Sequence, residues 1–519
     1  MTSGSSRLRR WIDAGTRAVF REKERLDAIN VFPVADSDTG TNLYLTLVEG
    51  HRAVARLPAE ASHREVVAAF ARGCLLGARG NSGVIVSQYL GAFLSEIDAH
   101  GGLDAVKASA ISDALDIAAD AAYDAVGEPV EGTILSVARA AARGGRGAFD
   151  AGGDVATVAI AAVVEARAEL ARTTTVLAEA RAAGVVDAGA AGLVLQLEML
   201  AETIAGPQAL AAIDEVEWEV RARTGGRTPA EQAVFARAGD ASTRLGAYEV
   251  MFVTGEKRVA TAEAPGERPP SLKSLLREIG ESVAVTGRND VWQAHVHTDD
   301  PGAAIAIAQA AEASQVVVRH IPTAHARSLE PTGIVALTTC PGLAATLASA
   351  AAAVLVVPDP DGVLEDELAR VVRDASTGRV AIVAGAPALK AAAHGLAEHR
   401  DDIETVVLAA ASEPQVIAAL SASALVESGR DPLPAMRAAV AATRAGRAML
   451  DSVAEDLERM VTPEVEVATV ILGAGVAPGV ADAAVRRLAG KAPHVDVHVY
   501  TGGQTVPSVI LGVEASPGA

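Results

Sequence analysis

Cysteine is nearly absent from this sequence, since Cys74 and Cys340 are the two cysteines among 519 residues. Two thiols in so long a chain make no disulfide framework, which is typical of a protein in a reducing compartment. Aromatic residues are also scarce, at 3% of a chain that is 50% hydrophobic. The core must therefore be aliphatic, and the apolar half excludes a disordered or fibrous protein.

Positive charge is in deficit: 45 basic residues against 65 acidic ones give a net charge of −20. A binder of nucleic acid or of an anionic membrane needs a basic surface that displaces counterions, so neither kind of partner is expected. The longest apolar run, residues 343–357, is mostly alanine and falls short of the ~20 residues of a membrane span. It predicts a buried helix that leads into a strand. Residues 1–26 are basic, but charges recur every few positions, as on an amphipathic helix and not a signal peptide. We expect a soluble, cytoplasmic protein without membrane insertion.

The length suggests about three domains. Residues 1–205 are predicted to be almost wholly helical, because apolar residues recur there at intervals of three and four. Residues 206–245 are charged and contain glycine, as in a linker. Over 246–325 strand-like and helix-like segments alternate closely, which favours a small α+β domain. Over 333–519 short β-branched runs are each followed by a helical segment, the pattern of βαβ units with a parallel sheet, and a long helix is predicted over about 433–460.

The strongest chemical signal is the loop Asn30-Val-Phe-Pro-Val-Ala-Asp36-Ser-Asp38-Thr-Gly-Thr-Asn42. Asp36 and Asp38, one residue apart, can converge on one Mg²⁺ ion, which prefers carboxylate, water and phosphate oxygens. Residues 39–42 begin a predicted helix, where free N–H groups and the helix dipole favour an anion. An ordinary helix cap is the alternative, but a cap uses one such residue.

A second loop, Gly77-Ala-Arg-Gly-Asn-Ser-Gly83, also precedes a predicted helix. Its glycines allow a close approach of backbone to a phosphate, although the sequence contains no G-x-x-x-x-G-K-[ST] motif. A plain connector between helices is the alternative. The loops at 131–133 and 184–189 also combine glycine with polar residues before a predicted helix. Each is weak evidence for a ligand site by itself and matters only because it lies in the same helical region.

No arrangement for covalent catalysis is evident: there is no G-x-S-x-G elbow, and both cysteines have the apolar surroundings of structural thiols. His295 and His297 alternate on a predicted strand, so both imidazoles can reach one metal ion. They have no companion motif, and a structural role is the alternative.

Together these loops resemble a known family. The segments NVFPVADSDTGTN, GARGNSGVIVSQ, PVEGTILSVARAAA and AGVVDAGAAGLV resemble, in this order, the motifs of the ATP-binding subunit of bacterial fatty acid kinase. The N-terminal domain of that subunit is similar to the L subunit of dihydroxyacetone kinases. AHVHTDDPG (294–302) and GGQTVPSVILGVE (502–514) extend the resemblance to the middle and the end of the chain.

The resemblance implies a fold, an activity and a set of residues. It implies an all-α helical barrel of the dihydroxyacetone kinase L type, a small α+β middle domain and an α/β C-terminal domain with the fold of the DegV family. It implies a kinase that uses ATP and two Mg²⁺ ions to phosphorylate the carboxylate of a fatty acid presented by a DegV-type partner, and a homodimer. The implied roles are catalysis and Mg²⁺ binding for Asp36 and Asp38, a further Mg²⁺ contact for Asn30, and nucleotide binding for Gly40, Thr41, Asn42, Asn81, Ser82, Gly83, Thr133, Asp187 and Gly189.

The chain departs from the family at three places. The acidic loop has Ala35 and Ser37, whereas family members often have Gly-Pro or Pro-Asp-Gly there, and both carboxylates are kept. Ala247 stands where the family has the cysteine that joins the two histidines at a zinc site, which argues against zinc at His295 and His297. Residues 357–362 replace a GGQT-type loop, so a docking role without bound lipid is expected for the C-terminal domain. Two other functions compete with the kinase: a nucleotide-binding scaffold or regulator without kinase activity, and a dihydroxyacetone-type kinase, which would need a separate domain with a substrate-binding histidine.

Overall fold

The structure is a computed structural model of the chain. It forms two compact units, residues 1–245 with 281–295, and residues 246–280 with 296–519. The residues that the structure describes are 6–32, 37–127, 129–211, 213–214, 216–218, 246–255, 271–288, 291–313, 315–328, 330–351, 353–360, 365–375, 378–399 and 403–515.

The first unit is helical up to residue 205, as the apolar periodicity predicts. Its helices are α1 (Ser6–Ala28), α2 (Thr39–Ala55), α3 (His63–Gly77), α4 (Gly80–Ala99), α5 (Ala108–Ala125), α6 (Ile134–Asp150), α7 (Val155–Val176), α8 (Ala178–Ala183) and α9 (Ala188–Ala205). Local signals set several of the starts. Ser62 and Glu65 form a reciprocal capping box before α3, and Asp154 accepts a hydrogen bond from Thr157 N before α7. Such side chains replace the partners that the first N–H groups of a helix lack.

Alanine replaces aromatic residues in the core of this unit. Ala114, Ala118, Ala119 and Ala122 of α5 are fully buried, and small side chains let helices pack closely. The few aromatic side chains are grouped: Trp11 of α1 meets Phe93 of α4 edge to face, with 5.7 Å between ring centroids. The scarcity of aromatic residues is thus accommodated by close helix contacts.

One helix among the described residues, α9, is long and apolar enough to cross a membrane. In the structure 61% of it is buried inside the unit. This burial is what the core helix of a folded domain shows, so α9 gives no sign of a membrane span.

Residues after 245 contribute the strands. They are β1 (Tyr248–Thr254), β2 (Glu281–Arg288), β3 (Val291–Thr298), β4 (Val316–His320), β5 (Thr332–Thr338), β6 (Ala353–Val356), β7 (Arg379–Ala384), β8 (Glu404–Val407), β9 (Thr443–Ala448), β10 (Val465–Leu472), β11 (Asp496–Thr501) and β12 (Val509–Ala515). β2 and β3 are neighbours in a sheet, and residues 281–295, which include β2 and most of β3, pack with the helical unit.

In the second unit β5 pairs in parallel with β6 and with β7, and β7 pairs in parallel with β8. β1, β4 and β6 continue this sheet as antiparallel neighbours. A second sheet has the strand order β11-β10-β12-β9. The helices of this unit are α10 (Leu272–Ile279), α11 (Pro301–Ala310), α12 (Ile321–Ser328), α13 (Ala344–Ala348), α14 (Glu365–Asp374), α15 (Pro387–His399), α16 (Glu413–Ala424), α17 (Leu433–Ala442), α18 (Val453–Met460) and α19 (Gly479–Lys491). An N-terminal helical region followed by α/β regions with a parallel sheet is therefore confirmed.

The long helix predicted over about 433–460 is wrong. The chain forms α17, then β9, then α18. β9 pairs antiparallel with β12 from Thr443 opposite Glu514 to Ala448 opposite Val509. The sequence TRAGRA of β9 has no strand pattern of its own, so pairing with β12 overrides the local helical preference.

The apolar run at 343–357 does form the predicted helix and strand, α13 and β6. The domain boundaries at 205, 246 and 333, the barrel form of the helical domain and the DegV-like form of the C-terminal domain stay predictions.

Candidate nucleotide-binding site

The start of α2 is held by a residue that lies on another helix. Asp27, near the end of α1, accepts hydrogen bonds from Thr41 N (2.9 Å) and from the Thr41 hydroxyl (2.8 Å). Burial raises the pKa of Asp27 above its usual value, and the bonds from Thr41 and Gly40 partly offset this rise. Asp27 thus satisfies the first N–H groups of α2 from outside that helix.

Asp38 occupies the N-cap position of α2, but its side chain makes no capping hydrogen bond. The alternative that this aspartate is an ordinary helix cap is therefore not supported. Ser37, before it, has φ 56°, in the left-handed region that glycine adopts more easily. Asp36 lies outside the described residues. Asn30 follows α1 and is buried.

The loop before α4 approaches α2 closely. Gly80 has φ +55°, a left-handed conformation that favours glycine, and a Cβ there would lie 2.6 Å from Asn42 Nδ2. Thr46 accepts a hydrogen bond from Arg79 N (3.2 Å) and donates one to Asn42 O (2.7 Å). Asn81, in the first turn of α4, has a buried Oδ1 with no hydrogen-bond partner among the described residues.

The starts of α6 and α9 are joined by one carboxylate. Asp187 Oδ2 accepts hydrogen bonds from Ala190 N (2.7 Å), at the start of α9, and from Ile134 N (3.1 Å), at the start of α6. Asp187 N in turn donates to the Thr173 hydroxyl at 3.0 Å. Burial raises the pKa of Asp187 to about 6, against the lowering effect of the two backbone bonds. Thr133 is the N-cap of α6, and its hydroxyl donates to Val130 O at 2.7 Å.

These contacts bring four helix starts to one end of the unit. α2 and α4 meet through Asn42 and Gly80, and α2 and α9 meet where Gly192 packs against Leu43. α9 and α6 meet at Asp187. The described residues predicted to bind nucleotide therefore lie around one end of the helix bundle: Gly40, Thr41, Asn42, Asn81, Ser82, Gly83, Thr133, Asp187 and Gly189. The positive dipole ends of the four helices are thereby grouped, which favours a polyanion, while the N–H groups of Thr41, Ile134 and Ala190 are bonded to Asp27 and Asp187.

The sequence did not identify Asp27 and Arg79 as part of this end of the unit. Asp27 looked like an ordinary charge on an amphipathic helix. Arg79 lies inside the Gly77–Gly83 loop that was singled out, and its burial, at 5% exposure, is the unusual feature. Arginine is almost never buried without partners, but its burial cannot be seen from sequence.

The chain after α9 returns to the same unit. Val186 N donates to Trp218 O (3.0 Å), and the Arg25 guanidinium lies 4.3 Å from the centroid of the Trp218 ring. Arg167 donates to the backbone carbonyls of Ile213 and Asp214. A pocket of about 180 Å³ opens beside these side chains. Part of the predicted linker is therefore docked next to the loop that carries Asp187.

In the second unit the structure shows a carboxylate that the sequence reasoning missed. A carboxylate oxygen of Glu249 and a ring nitrogen of His297 lie within 4.8 Å of each other, and both residues are buried. His295 precedes His297 on β3, on the same face of the strand. Zinc binds carboxylate and imidazole ligands. Glu249 Oε2, however, also forms an ion pair with the Arg319 guanidinium, at 3.4 Å. Glu249, two residues after Ala247, thus places a buried carboxylate beside His297. Absence of zinc at His295 and His297 stays a prediction.

Three family models match the chain. A DAK2 domain matches residues 33–202, the middle domain of FakA-like fatty acid kinase proteins matches 246–328, and the C-terminal domain of the same FakA-like proteins matches 443–514. The chain therefore matches a DAK2 domain and the middle and C-terminal domains of FakA-like proteins, and the resemblance inferred from its sequence is confirmed.

Several curated bacterial proteins are similar to this chain. Protein YloV of Bacillus subtilis is 32% identical over 302 residues, which cover 57% of this chain and 51% of that protein. An uncharacterized protein of Staphylococcus haemolyticus is 30% identical over 289 residues, which cover 56% and 50%. The match thus spans about half the length of these relatives. Among solved structures, the dihydroxyacetone kinase from C. freundii in complex with AMP-PNP and Mg²⁺ is similar with a TM-score of 0.29 and 19% identity, over 37% of this chain and 33% of that one.

The raised pKa of Asp187 predicts a specific pH dependence of stability. The folded protein keeps the proton on Asp187 up to about pH 6, whereas the unfolded chain loses it near the ordinary value of 3.8. The unfolded state then binds fewer protons than the folded state, so stability falls as pH rises from about 4 to 6, by at most about 1.4 kcal/mol per pH unit. Asp187→Asn removes this proton exchange but keeps one oxygen as an acceptor. We expect the melting temperature of wild type to fall relative to that of Asp187→Asn across this window and the difference to stay constant above it. Parallel melting curves from pH 4 to 7 would contradict the assignment.

Proposed function

We propose that this protein is an ATP-dependent kinase subunit that phosphorylates the carboxylate of a fatty acid, presented by a DegV-type acyl-binding partner, to give an acyl phosphate. The observation that supports this most is the meeting of the starts of α2, α4, α6 and α9 within a DAK2 match. Several positive helix-dipole ends grouped at one end of a helix bundle suit a triphosphate.

We propose that the acidic loop supplies a magnesium site for the nucleotide. Asp38 precedes α2 and makes no side-chain capping hydrogen bond there. With Asp36 and, in addition, Asn30, it offers the hard oxygen donors that Mg²⁺ prefers. Mg²⁺ supplies charge neutralisation at the phosphates when it is bound, and this together with positioning is most of what phosphoryl transfer requires.

The acceptor needs little help from the protein. A fatty acid carboxylate is already ionised at neutral pH, so its oxygen attacks the γ-phosphorus without a general base. The bond from this phosphorus to the β,γ-bridging oxygen breaks, ADP leaves, and an acyl phosphate forms. The residues proposed to hold the nucleotide are Gly40, Thr41, Asn42, Asn81, Ser82, Gly83, Thr133, Asp187 and Gly189.

The remaining domains are proposed to bind the acyl-binding partner. We propose that the region from 333 onward has a DegV-like form and docks the acyl-binding protein, and that the chain acts as a homodimer. The matches to FakA-like middle and C-terminal domains support a role in which this chain works together with other subunits.

The test is ATP consumption by the purified chain with a DegV-type protein loaded with fatty acid. We expect ADP and an acyl phosphate, trapped with hydroxylamine as the hydroxamate, only when chain, partner and Mg²⁺ are all present. Mg-ATP binding without any product on any loaded partner would favour a scaffold or regulator. Phosphorylation of dihydroxyacetone without a partner would favour a kinase of that type.

A further inference from the structure

A short strand pair from the middle of the chain packs with the helical unit. Residues 281–295, which contain β2 and most of β3, belong to that unit, although they fall inside the match to the middle-domain model. Their contacts converge on the loop between α3 and α4. Gln293 Nε2 donates a buried hydrogen bond to Ala78 O at 2.7 Å.

Apolar contacts hold the same place. Ala284 of β2 forms a small buried cluster with Ala78 and Val84, which flank the Gly80–Gly83 turn. Ala284 also makes a β-bridge with Val126, just after α5. The strand pair is therefore fixed at two points of the helical unit, and one of them is the loop that leads into α4.

The loop is held from its other side by α2. Arg79 N donates to the Thr46 hydroxyl, and Gly80 fits against Asn42. The Ala78 carbonyl accepts two hydrogen bonds, one from Gln293 Nε2 and one from Arg79 Nη1 at 3.1 Å. Loop 77–83 is thus clamped between α2 and the strand pair, with Gln293 as the polar contact on the strand side.

We propose that Gln293 is a positioning residue for nucleotide binding, and that residues 281–295 complete the site from outside the DAK2 match. Gln293 acts through Ala78: its N–H fixes the carbonyl that precedes Arg79 and Gly80, and thereby the direction in which Asn81 and Ser82 begin α4. This rests on the proposed function, since it assigns to the same site an element from another part of the sequence. The helical region alone would then bind Mg-ATP less well than the whole chain.

The experiment uses the full chain with three substitutions. Gln293→Met keeps the size of the side chain and removes the donor. Gln293→Glu has a donor only when its carboxyl is protonated. Glu281→Gln, at the exposed start of β2, is the control. Mg-ATP dissociation constants are measured by calorimetry at pH 5.5 and pH 8, with melting temperatures, and amide hydrogen exchange of residues 77–83 is measured without nucleotide.

We expect Gln293→Met to weaken Mg-ATP binding on the order of tenfold, the equivalent of one hydrogen bond of about 1.4 kcal/mol, at both pH values. Gln293→Glu, whose carboxylate accepts and does not donate, should bind Mg-ATP less well than wild type at pH 8, and exchange at 77–83 should quicken in Gln293→Met but not in Glu281→Gln. Unchanged affinity and exchange in Gln293→Met, or a lower melting temperature with wild-type affinity, would overturn the positioning role. If wild type itself does not bind Mg-ATP, the proposed function fails, and the exchange data still decide whether Gln293 orders the loop.

Discussion

Replacing Asp38 with alanine is expected to lower ATP turnover by on the order of 100-fold or more, the usual effect of removing a group that stabilises transition-state charge. Its side chain makes no capping hydrogen bond at the start of α2, so the loss should fall mainly on Mg-ATP binding and on the rate. Steady-state turnover and Mg-ATP affinity measure this loss, and the melting temperature measures any effect on folding.

Asp154 is the matched control, because it also precedes a helix of the first unit. Unlike Asp38, it caps its helix by accepting from Thr157 N at 2.8 Å. Asp154→Ala should lower the melting temperature through loss of the cap and leave turnover unchanged. Asp38→Ala should therefore lose mainly turnover, whereas Asp154→Ala should lose mainly stability. If Asp38→Ala is destabilised like Asp154→Ala and keeps its turnover, the aspartate is a structural residue after all.

Arg319→Met is expected to cost about 3–5 kcal/mol of stability, as when one partner of a buried ion pair is removed. Arg319 lies 2.7 Å from Asp374 and 3.4 Å from Glu249, and the Asp374 side chain is 2% exposed. Without the guanidinium the buried Asp374 carboxylate would lose this ion pair. Denaturant unfolding of the full chain measures the loss.

Arg379 provides the comparison within the same unit, because it too meets two carboxylates. It lies 2.9 Å from Glu404 and 3.5 Å from Asp431, but its side chain is 37% exposed. Water screens such pairs, so Arg379→Met should cost less than about 1 kcal/mol. Equal losses in Arg319→Met and Arg379→Met would show that burial does not decide the effect.

Much of the first unit could be predicted from local pattern. The helical region and its loops follow from apolar spacing and from clusters of Gly, Asp and Asn, because a helix that packs by one face repeats every three or four residues. The predicted helix over 433–460 failed for the opposite reason. Residues 443–448 become β9 only because β12, more than sixty residues later, offers a partner.

The residues of the candidate site also divide into those that the local sequence indicates and those that only tertiary contacts bring there. The loops containing Asp38, Asn81, Thr133 and Asp187 were identified from sequence, since glycines and short polar side chains before a helix have a local chemical meaning. Asp27 and Gln293 were not, because each acts across the chain: Asp27 on the start of α2, and Gln293 on Ala78, 215 positions away. Nothing in their own neighbourhood distinguishes them from other polar residues.

The sequence by itself determined the aliphatic, aromatic-poor helical domain, the parallel α/β region and the loops at which helices begin, because these depend on composition and on periodicity within a few residues. Only the tertiary structure decided which helix starts meet at Asp187 and Gly192, which carboxylate caps α2, and which strand pair holds the loop before α4. These are contacts between residues far apart in the chain. Their geometry is set by how the helices and strands pack, so it cannot be inferred from the sequence around each residue.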